Sequence, residues 1–135
     1  VGLLGIALVV GCGSGTDGLR LVPVSGVVDY EGEPVQDGVI RLIPSDGTQA
    51  PVRVRKIRQG AYEFTGRSAA AEGTYRVEIR AYRPLAGAVP SALKDDPAYD
   101  APREQYLPKR FNADSQIDPL VISSEDSEIR QDFNL

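Results

Sequence analysis

Strict alternation of apolar and charged side chains across residues 74–82 constrains this chain more than any other feature. Tyr75, Val77, Ile79 and Ala81 take one parity, and Arg76, Glu78 and Arg80 take the other. A period of two marks a half-buried strand, because successive side chains point to opposite faces of a sheet. The pattern recurs at residues 22–30, where Val22, Val24, Gly26, Val28 and Tyr30 share a face opposite Ser25 and Asp29. It recurs again at 39–44, with Ile40 and Leu42 inward and Arg41 outward, and at 61–65, where Tyr62 and Phe64 share a face. Residues 52–57 alternate valine with arginine, which predicts Val52 and Val54 in the core and Arg53 and Arg55 in water. Their basic cluster is then a solvated strand face. Turn-forming residues at 31–34, 45–48 and 59–60, and small residues at 69–73, punctuate these strands. The last strands are expected within 116–122 and 128–135, where Ile129, Phe133 and Leu135 share a parity. Pro119 predicts an edge strand or a bulge for the first of the two. Six to eight short strands of this kind indicate an all-β, antiparallel sandwich.

The alternation stops between Arg83 and Ser115, a length at which loops are usually functional or disordered. Five of the ten prolines lie here, Pro84, Pro90, Pro97, Pro102 and Pro108, together with Asp95, Asp96 and Asp100. Tyr99, Tyr106 and Phe111 make this insert the candidate partner-binding loop, since aromatic residues are enriched at interfaces. Tyr106 and Phe111 are equally suited to pinning the loop against the sandwich. Short helical turns are expected at 91–94 and 102–106.

The amino-terminal segment speaks to location. An uncharged apolar run over residues 3–10 leads into Gly11 and Cys12, the single cysteine of the chain. At about eight residues it is far shorter than the roughly 20 that a membrane span needs. The string LVVGC at residues 8–12 resembles the bacterial lipobox. The resemblance implies that residues 1–11 are a signal peptide whose start precedes Val1, and that Cys12 becomes the lipidated first residue of an exported protein. Residues 12–19 then form the anchored cysteine and a flexible tether, GSGTDG, ahead of one domain over 20–135. Membrane partnership through Cys12 follows from the transfer energy of acyl chains, about 0.8 kcal/mol per buried CH₂.

Composition limits the chemistry. The chain has no His, Met or Trp and a net charge of -4. Without imidazole, and with its one thiol assigned to lipid, it lacks the common ligands of zinc, copper and haem and the usual base of serine and cysteine nucleophiles. A metal site, a cofactor and a catalytic centre are therefore not expected. Its scattered basic residues do not make the concentrated positive surface that nucleic acid requires.

The strings VSGVVDYEGEPVQDGVIRLIP at 24–44, GAYEF at 60–64 and EGTYRVEIRAY at 72–82 resemble the transthyretin-like, carboxypeptidase regulatory-like sandwich modules. LPKRF at 107–111, DSQIDPLVI at 114–122 and the terminal FNL are similar to small bacterial lipoproteins that carry one such module. The resemblance implies a seven-stranded, prealbumin-like Greek-key sandwich with one long proline-rich loop. An enzymatic branch of that group uses histidines and a terminal motif that this chain lacks, so its activity is not carried over. The expected function is a non-catalytic, lipid-anchored binding or scaffolding module of the cell envelope, with an envelope protein or glycan as partner. Other readings stay open: a glycan hydrolase using two of Asp95, Asp96, Asp100 and Glu104, calcium binding by these or by Glu125, Asp126 and Glu128, or carbohydrate binding alone.

Overall fold

The computed structural model describes residues 20–85, 91–93, 95–98 and 101–135. Cys12, the signal segment and the tether lie outside the described residues, as do Tyr99 and Asp100. The fold is all-β, with twelve short strands and three 3-10 turns among the described residues rather than seven strands. Its main sheet curls into a half-barrel in the order β10 (Leu120–Ile122), β8 (Gly73–Pro84), β4 (Asp37–Ser45), β5 (Arg53–Arg58), β6 (Ala61–Phe64), β2 (Val24–Tyr30), β11 (Ile129–Arg130). β3 (Glu33–Pro34) and β12 (Phe133–Asn134) also pair with β2, and β9 (Arg103–Gln105) pairs with β8.

The alternating residues supply one core. Val24, Val28, Ile40, Leu42, Phe64, Tyr75, Val77, Ile79 and Ala81 are all essentially inaccessible to solvent. The two-residue hairpins Glu31-Gly32 and Gln59-Gly60 have positive φ at both central positions, the backbone twist that matches the strands they join. Pro119 does precede an edge strand, since β10 ends the sheet.

Four expectations need correction. Val52 and Val54 point outward, at 45 and 51% exposure, and Ile57 is the residue of β5 that is buried. One residue sets the parity because the core reaches only the end of β5 that lies opposite Gly38, and a slip of one position exchanges the two faces. The small residues at 69–73 are not a loop: Ala69, Ala70 and Ala71 are buried, and β7 (Ala70–Ala71) pairs with β1 (Leu21–Val22). Residues 103–105 form a strand rather than a helical turn, while the first expected turn is seen at Ser91–Leu93. The sheet is also not wholly antiparallel, because β11 and β12 both run parallel to β2. β10 and β11 lie at opposite ends of the strand order, so the link 123–128 is a crossover and not a hairpin. Arg20 clamps this link through Ser124 O and, at 2.8 Å, Asp126 O.

The parallel closure has an unusual centre. The Gln131 carbonyl sits over Gly26 and accepts a 2.6 Å hydrogen bond from the Tyr62 hydroxyl. Next to it, Asp132 Oδ1 accepts the Val27 N–H at 2.9 Å. Burial pushes the Tyr62 phenol well above its usual range; the Asp132 charge adds to the rise and Arg130 opposes it. A free tyrosine titrates near pH 10. The folded chain thus keeps a proton that the unfolded chain releases above about pH 10, so stability falls as pH climbs past that point. Tyr62→Phe is expected to cost about 1 kcal/mol at pH 7 and to flatten this alkaline decline. Urea midpoints from pH 7 to 11 measure both effects, and an unchanged alkaline slope in the variant would count against this assignment.

Candidate partner-binding surface

The insert between β8 and β10 is fastened to the sheet rather than standing off it. β9 pairs antiparallel with the end of β8 through Tyr82, Arg83 and Pro84. Beyond it, the Tyr106 N–H donates to Ala81 O at 3.0 Å, and Leu107 is buried to 3% exposure. The middle of β8 has no strand neighbour on this side among the described residues, and its carbonyls are satisfied by side chains instead. Asn112 Nδ2 donates to Ile79 O at 3.2 Å, and Ser115 Oγ donates to Val77 O at 2.5 Å. Buried backbone acceptors need such partners, so residues 106–115 replace a missing strand.

This attachment sets the positions of the candidate aromatic residues. Tyr106 and Phe111 are half-buried and pack with Tyr30, at ring separations of 6.0 and 6.1 Å, against the core. Arg83 lies 5.2 Å above the Tyr106 ring, and Arg110 lies 4.6 Å above that of Phe111. Burial raises the Tyr106 phenol above its usual range, with Arg83 opposing the rise and Glu33 and Tyr30 adding to it. Both rings therefore serve the fold, and each also presents a face stacked by a guanidinium.

Phe111 and Arg110 border a cleft of about 480 Å³ that the sequence did not disclose. The other wall is the carboxy-terminal segment, including Gln131, Phe133 and Leu135, and the floor includes Ile117 and Leu120. Its lining mixes apolar and amide side chains with the charged groups Arg110, Asp118 and Asp132. No local signal marks it, because its walls come from segments that meet only through the parallel closure onto β2.

Three of the acids nominated for other chemistries, Asp96, Glu104 and Asp126, have structural partners. Glu104 pairs with Arg83 at 2.7 Å on the exposed β8–β9 ladder, and Asp96 accepts the Ala98 N–H at 2.9 Å. Asp95 is exposed. Asp126 Oδ2 accepts the Ser123 N–H at 2.8 Å, while Glu125 and Glu128 are exposed. Among the described residues no three of these ligand types converge on one point. Glu78, expected at the surface, is only 6% exposed and bridges Arg76 and Arg80 at 3.0 and 3.1 Å. Arg76 further donates to Asn112 O and Ala113 O, tying the insert to β8. Among the described residues no helix is long and apolar enough to cross a membrane.

No family model, curated protein or solved structure matches this chain. Function is accordingly argued from the surfaces themselves.

Proposed function

We propose that this chain is a non-catalytic binding or scaffolding module of a bacterial cell envelope. Residues 1–11 act as its export signal, and a diacylglyceryl thioether on Cys12 holds it to the membrane. Its domain is a transthyretin-like sandwich with prealbumin Greek-key connections, and its partner is an envelope protein or glycan. The supporting observation is the continuity between the Tyr106–Phe111 surface and the cleft beside it. Two rings already fixed by Tyr30 lose little conformational freedom on binding, and arginine and aromatic residues dominate interface energetics. Of the acids lining the cleft, Asp132 already accepts the Val27 N–H and lies 3.6 Å from Arg130 within the fold, which favours binding over hydrolysis.

The test uses the full chain, expressed with its signal in a bacterial host. A photo-crosslinking residue is placed at Arg110 and, as a control, at Glu125. The expected result is a discrete crosslinked species from position 110 alone, from membrane-bound protein whose mass shows lipid on Cys12. Cys12→Ser should release the protein into the soluble fraction. Soluble wild-type protein with an unmodified thiol would overturn the anchor, and equal crosslinking from both positions would overturn the surface.

A further inference from the structure

We propose that the open edge of β5 receives an extended acidic peptide segment as an added strand. β5 pairs with β4 along its whole length, through six register positions from Asp37↔Arg58 to Leu42↔Arg53. Towards β6 it makes one ladder pair only, Arg58↔Ala61. Beyond that corner the strands splay, and Arg55 Nε donating to Glu63 O at 2.9 Å is the hydrogen bond that crosses the gap. The result is a cleft of about 680 Å³ beside an unpaired strand edge, within the size range of ligand sites. A row of unpaired backbone donors and acceptors is what an incoming strand pairs with.

Charge specifies the occupant. Arg53, Arg55, Lys56 and Arg58 occupy four of six positions on β5, in a chain whose net charge is -4. None of the four forms an ion pair with another described residue. Asp37, the acid opposite Arg58, is paired with Arg103 instead. Glu63 is the single acid that lines the cleft. Because Ile57 fixes the parity, Arg53 and Arg55 lie on one face of the edge, and Val54, Lys56 and Arg58 on the other. An added strand that alternates acidic with small apolar residues sets its acids against the guanidinium pair on one face and its apolar residues against Val54 and the aliphatic stems of Lys56 and Arg58 on the other. Cations on a sheet edge also discourage self-association. That role alone does not require a cleft or the exclusion of acids from the strand. The site is separate from the Phe111 surface and does not depend on the lipid anchor.

The test measures fluorescence anisotropy of a labelled octapeptide alternating glutamate with valine, titrated with the full chain at low and physiological salt. Saturable binding is expected, weakened about tenfold or more by Arg55→Glu with Lys56→Glu. N-methylation of alternate peptide amides keeps the charge and removes the strand hydrogen bonds. It should weaken binding to wild-type protein by a similar factor. Absence of saturable binding would overturn the proposal. So would equal binding of the methylated peptide, or equally effective competition by polyphosphate of the same charge, either of which would make the edge a charged surface only.

Discussion

Gly26→Ala is expected to remove about 3 kcal/mol of stability, read as a fall in the urea midpoint. The Cβ that alanine adds would lie 1.9 Å from Gln131 O and 2.6 Å from its carbonyl carbon. Both are backbone atoms, so no side-chain rotation relieves the clash. The carbonyl is also held from its other side by the Tyr62 hydroxyl, and the flanking segment by the Gln131 N–H donating to Ser25 O. To make room, β11 and β12 must move off β2, exposing Phe133 and giving up the bond from Val27 N–H to Asp132. Against a total stability of roughly 5–15 kcal/mol this is a large fraction. A loss smaller than about 1 kcal/mol would show that the carboxy-terminal strands do not seat on Gly26 as described.

Phe64→Ala should be costlier still, at about 3–5 kcal/mol, with a fall in Tm of more than about 10 °C. Phe64 is fully buried, and β6 has only four residues, of which Tyr62 and Phe64 are the two that face inward. Its ring meets that of Tyr62 edge to face at 5.9 Å, and Tyr62 in turn contacts Phe133 at 6.0 Å. Removing the ring leaves a cavity under both the β2–β6 ladder and the closing strand. Those two elements cannot collapse inward without breaking register at Val24↔Phe64. Calorimetry of the variant beside Phe64→Leu separates the cavity from the lost aromatic contact. If leucine and alanine cost the same, the cavity is not the cause.

Alternation made the strands of residues 22–30, 39–44 and 74–82 legible, since each has a face buried along most of its length. At β5 the same reasoning failed. Valine is the more apolar residue there, but parity is decided by where the core ends, and only Ile57 lies beneath it. Ala69–Ala71 looked like a loop because alanine carries no strand signal, and burial beside β1 gives it one only in the folded chain. The direction of the final strands was hidden for a related reason. A polar link of six residues suits a hairpin locally, and nothing local says that its ends lie at opposite edges of a curled sheet.

The surface was half legible. Tyr106 and Phe111 were identifiable from residue type, yet their attachment depends on Asn112 and Ser115 reaching backbone carbonyls more than thirty residues away. The cleft beside Phe111 needs the carboxy-terminal strand in place. The opening at β5 depends on where a ladder stops, which residue type does not encode.

The partner that completes β2 lies about 105 residues further along the chain, the separation between Val27 and Asp132. A growing polypeptide therefore cannot bury Val24 and Val28 from that side until residues 129–134 have left the ribosome. High contact order slows folding, and here it defers closure until β11 and β12 have been made. The delay leaves one side of β2 without a strand neighbour while the intervening residues are being made, so the two valines on it wait on a segment at the far end of the fold.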